Sequence, residues 1–111
     1  MSRLYLGEFE EIVLLIVAIL YKEAYAVAIK AEITEQSGRT VNISAVHKSL
    51  YRLEEKGMLT SKMSDPVSKR GGKRRRLFNI TPLGKKALDA SMELRIKLRD
   101  QVPDKAFQWI K

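Results

Sequence analysis

Ser68-Lys69-Arg70-Gly71-Gly72-Lys73-Arg74-Arg75-Arg76 places six cationic side chains around a double glycine. On either side, Met58 to Ser64 and Arg76 to Thr81 alternate polar and apolar residues, as β-strands with one covered face do. Two such strands around a glycine-containing loop predict a β-hairpin, with its loop over Asp65 to Lys73. A hairpin tip with this much positive charge suits an anionic partner.

The excess charge of the chain is concentrated in this region. The formal net charge is +8, and residues 66–88 contain eight Lys or Arg and no Asp or Glu. Residues 1–64, in contrast, carry eight side chains of each sign. A localised positive field raises the local concentration and the association rate of a polyanion. Nucleic acid is therefore the leading predicted partner, and the element order described below narrows it to double-stranded DNA.

Length and composition exclude several other classes of protein. A chain of 111 residues that is 45% hydrophobic supports one compact unit, which we divide into residues 1–81 and a C-terminal segment, 82–111. With no cysteine and a single histidine, neither a Cys-based metal site nor a histidine cluster for a metal can form. The chain is therefore predicted to have no catalytic residues, no metal and no cofactor.

The same composition predicts a cytoplasmic protein. The absence of cysteine gives no indication of an oxidising compartment. The apolar run from Ile12 to Tyr21 is half the length of about 20 residues that a membrane span needs, and it follows acidic residues where a secretory signal carries positive charge.

Hydrophobic periodicity and capping residues predict four helices. A possible minimal strand over Arg39 to Asn42 connects the second helix to the third. The fourth helix has a specific start signal, because Thr81 can cap its N-terminus and Pro82 occupies its first position. The predicted helices run from about Gly7 to Lys22, Ala24 to Gln36, Ile43 or Ser44 to Lys56, and Thr81 to Pro103.

Two helices carry more apolar surface than one small domain is expected to cover. The first helix has no polar face in its second half, and the fourth has two separate apolar stripes. One stripe runs from Leu83 through Ala87 to Val102, and the other comprises Leu88, Met92 and Ile96. We therefore predict a homodimer whose interface includes Phe9, Ile12, Ile16, Leu88, Met92 and Ile96.

The order of these elements is that of a winged helix-turn-helix, a mainly α-helical fold with a β-hairpin wing, here followed by a C-terminal dimerisation helix. In such folds the third helix, the recognition helix, enters the major groove, and the wing reaches the adjacent backbone. His47 flanks the core stripe of this helix, so that a packing role and a DNA contact are equally open. The predicted DNA-binding residues are Asn42, Ser44, Ala45, His47, Lys48, Tyr51 and Arg52 in the recognition helix, and Lys69, Arg70, Gly71, Gly72, Lys73, Arg74 and Arg75 in the wing.

Four segments in order resemble the PadR family of bacterial transcriptional regulators. They are Leu6 to Glu11, Ala24 to Ile29, Ile43 to Gly57, and Arg70 to Gly84, which contains an Arg-Gly-Gly-basic wing and a Thr-Pro-x-Gly helix start. The resemblance implies a homodimer, formed by the first and fourth helices, that binds a pseudo-palindromic operator and usually represses transcription. It also implies that a small aromatic effector can bind between the subunits. Trp109, the only tryptophan, is a candidate to stack on such a ligand, and simple packing of the C-terminal aromatic residues is the alternative.

Two alternatives remain open. A winged helix can instead bind RNA or another protein, in which case the chain would be monomeric and would prefer RNA to a palindromic duplex. A polybasic loop also attracts anionic lipid, although the sequence has no exposed amphipathic anchor, so that no membrane partner is predicted.

Overall fold

The computed structural model describes residues 5–66 and 71–109. Short 3₁₀ turns follow the first and last helices at Tyr21–Glu23 and Asp104–Phe107. The main elements, in chain order, are α1 (Glu8–Leu20), α2 (Ala26–Ser37), α3 (Ile43–Glu55), β1 (Leu59–Met63), β2 (Arg76–Ile80) and α4 (Pro82–Asp100). This mainly helical architecture with one antiparallel hairpin confirms the predicted fold class.

Helix α1 lies at the centre of the core. It packs against α2, α3, α4 and β2, so that Val13, Leu14, Ile16 and Val17 are buried within a single chain. The expectation that one layer of neighbours could not cover this helix was wrong, because elements from the whole chain surround it. Of the larger apolar side chains of α1, only Ile19 is mostly exposed, at 57%.

Helices α2 and α3 form the helix-turn-helix. Helix α2 ends where Gly38 adopts a left-handed conformation, with φ of 74°. Helix α3 begins at a side-chain cap, since Asn42 Oδ1 accepts a hydrogen bond of 2.7 Å from the backbone N–H of Ser44. The strand predicted for Arg39 to Asn42 does not form: within the described ranges the sheet has two strands, and this connection pairs with neither.

The β-hairpin is in a simple antiparallel register, with Leu59 opposite Ile80 and Met63 opposite Arg76. Leu59 and Phe78 are buried and attach its base to the core. The N–H of Phe78 also donates a 2.9 Å hydrogen bond to the carbonyl of Ala24, just before α2. The hairpin is thus joined to the helix-turn-helix by both side chains and backbone.

Helix α4 starts as predicted. The Thr81 hydroxyl accepts a hydrogen bond from the N–H of Gly84 at 3.0 Å and donates one to the carbonyl of Gly57 at 2.6 Å. The two predicted stripes do not separate as expected, because Ala87 and Leu88, assigned to different stripes, are both buried against the rest of the chain. Beyond them the apolar side chains are exposed: Met92, Leu94, Ile96 and Leu98.

Candidate nucleic-acid interface

The outer face of α3 carries polar and cationic side chains. Its core face is formed by Val46, Leu50 and Leu53, which are completely buried. Because these residues fix the rotation of the helix, the opposite face points away from the domain. Exposed on that side are Ser44, Ala45, His47, Lys48, Tyr51 and Arg52, all of them predicted contacts.

Two predicted contacts of this helix have additional structural roles. Asn42 is exposed, but its amide oxygen is occupied by the cap at the start of α3. His47 is exposed and stacks on Tyr51, with ring centroids 6.0 Å apart and an interplanar angle of 23°. The stacked pair presents a flat aromatic surface beside Lys48.

An open groove of about 760 Å³ runs between α3 and the start of α1. Lys48 and Arg52 line it from α3, and Tyr5 lines it from the segment before α1. At one end Lys56 Nζ lies 3.0 Å from both carboxylate oxygens of Glu10, which is buried. Lys56 therefore holds the end of α3 against α1, whereas Lys48 and Arg52 remain exposed.

The wing reverses direction at two glycines. Gly71 and Gly72 have φ of 65° and 80°, values that L-residues with a side chain rarely adopt. Lys73 and Arg74, the next two residues, are exposed. Lys69 and Arg70, which were also predicted to contact DNA, lie outside the described residues.

Arg75 differs from the neighbouring cations. It is half-buried, and its guanidinium carbon lies 3.9 Å from the centroid of the Tyr25 ring. Tyr25 was not among the predicted site residues, although its position directly before α2 could have indicated proximity to the hairpin. The signal was weak because Tyr25 and Arg75 are 50 positions apart in the chain.

The recognition helix and the wing lie side by side. His47 and Tyr51 of α3 line a shallow groove of about 200 Å³ together with Arg75, Arg76 and Tyr25. The aromatic surface of α3 and the root of the wing therefore form one continuous surface. A protein that contacts the major groove of a DNA duplex and the backbone beside it needs such a surface.

The residues predicted for the subunit interface are unequally exposed. Ile16 and Leu88 are buried within the chain, and Phe9 and Ile12 are half-buried against the core. Their burial leaves Met92 and Ile96, which are exposed, as the predicted interface residues with most surface to offer. The predicted subunit interface therefore depends mainly on the second half of α4.

The candidate effector residue lies beyond α4. Trp109 is 69% exposed and contacts Phe107, with ring centroids 5.8 Å apart. Arg99 in turn lies over the Phe107 ring at 5.3 Å. The aromatic pair therefore folds back on the end of α4 and presents the indole to solvent.

The described part of the chain lacks the features of two other kinds of site. No group of three or more His, Cys, Asp or Glu side chains there could hold a metal ion. Among the helices of residues 5–66 and 71–109, none has the length and apolar composition needed to cross a bilayer.

The helix-turn-helix, the hairpin beside α3 and the following long helix define a winged helix-turn-helix protein. Residues 13–90 match the Transcriptional regulator PadR-like family, and the chain belongs to that family. Membership confirms the resemblance read from the sequence, and it places the chain among transcriptional regulators rather than enzymes. No curated protein sequence matches the chain significantly.

Solved structures of PadR-family regulators have the same fold. A PadR family regulator from Clostridium difficile R20291 is 27% identical, with a TM-score of 0.64 over 83% of this chain and 92% of that one. A PadR-like transcription factor from Bacteroides fragilis is 22% identical, with a TM-score of 0.69 over 85% of both chains. Bacillus subtilis PadR, in complex with operator DNA, is 17% identical, with a TM-score of 0.62 over 78% of this chain and 48% of that one.

Proposed function

We propose that this chain is a dimeric DNA-binding repressor that reads a pseudo-palindromic operator. The observation that carries the proposal is the shared groove in which His47 and Tyr51 of α3 adjoin Arg75 and Arg76 of the wing. A helix that fits the major groove and a cationic hairpin at its side can contact base edges and backbone together. The structure of Bacillus subtilis PadR in complex with operator DNA, which has the same fold, supports binding to an operator.

The two elements have different tasks in this proposal. Lys48 and Ser44, exposed on α3, provide donors for base edges, and Arg52 and Tyr51 are long enough to reach phosphate oxygens. In the wing, Lys73 and Arg74 are exposed beyond the strands and would neutralise phosphates. Base discrimination therefore comes from α3, and sequence-independent affinity comes largely from the wing.

Dimerisation and effector release complete the proposal. The exposed apolar side chains of α4, Met92 and Ile96 among them, would be covered by the same surface of a second copy. Two copies related by a two-fold axis would present two α3 helices to successive turns of one duplex. A flat aromatic effector would then stack on Trp109 near the subunit boundary and reduce the affinity for the operator.

Selection of bound sites from a random duplex pool tests the proposal directly. We expect a pseudo-palindrome with half-sites about 10 base pairs apart, the separation that places both α3 helices on one side of the duplex. Recovery of no preferred sequence, or tighter binding to RNA than to any duplex, would contradict it.

Salt dependence tests the wing separately. Each phosphate neutralised contributes about −0.9 to the slope of log affinity against log salt, so three or four phosphates per subunit predict roughly −6 for a dimer. We expect this slope in titrations of a labelled duplex at several salt concentrations. A slope shallower than about −2 would contradict the phosphate-binding role of the wing.

A further inference from the structure

We infer that Arg75 is a positioning residue that fixes the wing against α2 through the ring of Tyr25. The inference rests on the proposed function, because the placement of the wing matters only if the wing contacts a partner. It gives Arg75 a different task from Arg74, the adjacent arginine. From the sequence, both residues were predicted to contact DNA.

The side-chain geometry separates the two arginines. The Arg75 guanidinium carbon is 3.9 Å from the Tyr25 ring centroid, well within the limit of about 6 Å for a cation–π contact. A guanidinium at this distance is in van der Waals contact with the ring, which shields part of it from solvent. Arg75 is accordingly half-buried, whereas Arg74 is exposed.

The backbone of Arg75 is also held. Its N–H donates a 2.9 Å hydrogen bond to the hydroxyl of Ser64, and its carbonyl accepts one of 2.7 Å from the Ser64 N–H. These bonds continue the pairing of the hairpin by one step beyond Met63 and Arg76. The side chain of Arg75 therefore extends from a fixed point of the strand.

The partner ring is equally well placed. Tyr25 is the N-cap residue of α2, and the carbonyl of the preceding residue, Ala24, accepts the hydrogen bond from Phe78. The wing is thus joined to one short segment at two places, by backbone at Phe78 and by a side chain at Arg75. The buried side chains of Leu59 and Phe78 hold the base of the hairpin, and the Arg75 contact holds it nearer its loop. Without that contact the loop end of the wing would be less restrained than its base.

Without the second attachment, the wing would have to be ordered during binding. Ordering a few residues costs free energy, and one cation–π contact contributes free energy of similar size. Either amount corresponds to a change in affinity of roughly 3- to 10-fold. Loss of either member of the pair should therefore weaken DNA binding by about this factor. Loss of both should weaken it no further, since the contact can be lost only once.

The first experiment needs no DNA. In the NMR spectrum of the free protein, the Arg75 side-chain protons should be shifted upfield by the Tyr25 ring. Tyr25→Phe should preserve these shifts, and Tyr25→Leu should abolish them. Random-coil positions for these protons in the unmodified protein would overturn the inference even if DNA binding were intact.

The second experiment measures affinity for a labelled duplex recovered from the random pool. Arg75→Ala and Tyr25→Leu should each weaken binding about 3- to 10-fold, the double variant should match the weaker-binding single variant, and Tyr25→Phe should bind normally. Arg74→Ala is the matched control. Because Arg74 does not contact Tyr25 in this proposal, the fold-losses of affinity from Arg74→Ala and Tyr25→Leu should multiply in the double variant. Multiplicative effects of Arg75→Ala and Tyr25→Leu would overturn the inference.

The salt slope distinguishes positioning from direct phosphate contact. Arg74→Ala should make the slope shallower by about 0.9 per subunit, whereas Arg75→Ala should leave it unchanged. An equal change for both variants would show that Arg75 binds phosphate itself. If no duplex were bound at all, the proposed function would fail, whereas the NMR result would still decide whether Tyr25 holds Arg75.

Discussion

Single residues of the candidate interface differ in what they can recognise. Lys48 is exposed near the middle of α3 and Arg74 is exposed on the wing. In the proposed complex, Lys48 meets base edges and Arg74 meets the DNA backbone. We expect Lys48→Ala to reduce the preference for the selected operator over a scrambled duplex by about 1 to 3 kcal/mol. Competition binding of the two duplexes measures this difference.

Arg74→Ala should have the opposite signature. Removal of a phosphate contact weakens operator and scrambled duplex alike, because phosphates carry no sequence information. The ratio of the two affinities should therefore stay constant while both affinities fall. If Arg74→Ala altered the ratio and Lys48→Ala did not, the roles of wing and recognition helix would be reversed.

Gly84 is a residue whose side-chain size the fold restricts. A methyl group built on Gly84 would overlap the carbonyl oxygen of Met58 and lie 2.9 Å from Cγ1 of Ile80. Gly84→Ala should therefore lower the free energy of unfolding by about 1 to 3 kcal/mol, as overpacking does. Urea unfolding of this variant beside Gly7→Ala, whose added methyl would be 3.9 Å from its nearest neighbour, measures the effect.

At the scale of elements, most of the helices and both strands could be predicted from local signals. Periodicity placed the core face of α3, and the Thr81 and Pro82 pair fixed the start of α4. The burial of Glu10 and Glu11 at the start of α1 could not be predicted. Their partners lie 46 and 80 residues away, so that no local pattern distinguishes these carboxylates from surface charges.

Glu11, on α1, contacts two side chains of α4. Its carboxylate accepts a hydrogen bond from the Ser91 hydroxyl and lies 3.2 Å from Nη1 of Arg95. Ser91→Ala should lower the free energy of unfolding by about 1 to 3 kcal/mol, because a buried carboxylate loses a donor. In urea unfolding, the double variant Glu11→Leu with Ser91→Ala should be less destabilised than the two single effects together.

A matched control lies on the exposed side of the same helix. Lys85 Nζ is 2.7 Å from Asp89 Oδ2, and both side chains are largely exposed. Lys85→Ala should change the unfolding free energy little, because solvent screens such pairs. If Lys85→Ala lowered the unfolding free energy as much as Ser91→Ala, the burial of Glu11 would not explain the effect of Ser91→Ala.

At the scale of the whole molecule, the predicted dimer now rests on α4 rather than on α1. The sequence argument used the apolar character of both helices. In the structure, the rest of the chain buries the apolar side chains in the middle of α1, whereas on α4 it buries none beyond Leu88. Sequence alone could not distinguish these cases, because a helix at the centre of a domain and a helix between subunits show the same pattern. In the structure Ile96 is 60% exposed, so the packing within one chain leaves the second half of α4 uncovered.

Ile96→Glu should therefore disrupt the dimer. A charge on a surface that a second copy covers must be desolvated without a partner, which costs more than association of a single helix face can offset. We expect sedimentation equilibrium to give a dimer for the unmodified protein and for Lys97→Glu, which places the same charge on the adjacent residue. Ile96→Glu should give a monomer that loses operator affinity but retains the unfolding cooperativity of the folded domain. A fully dimeric Ile96→Glu variant would exclude this part of α4 from the interface and remove the main support for a two-fold operator complex.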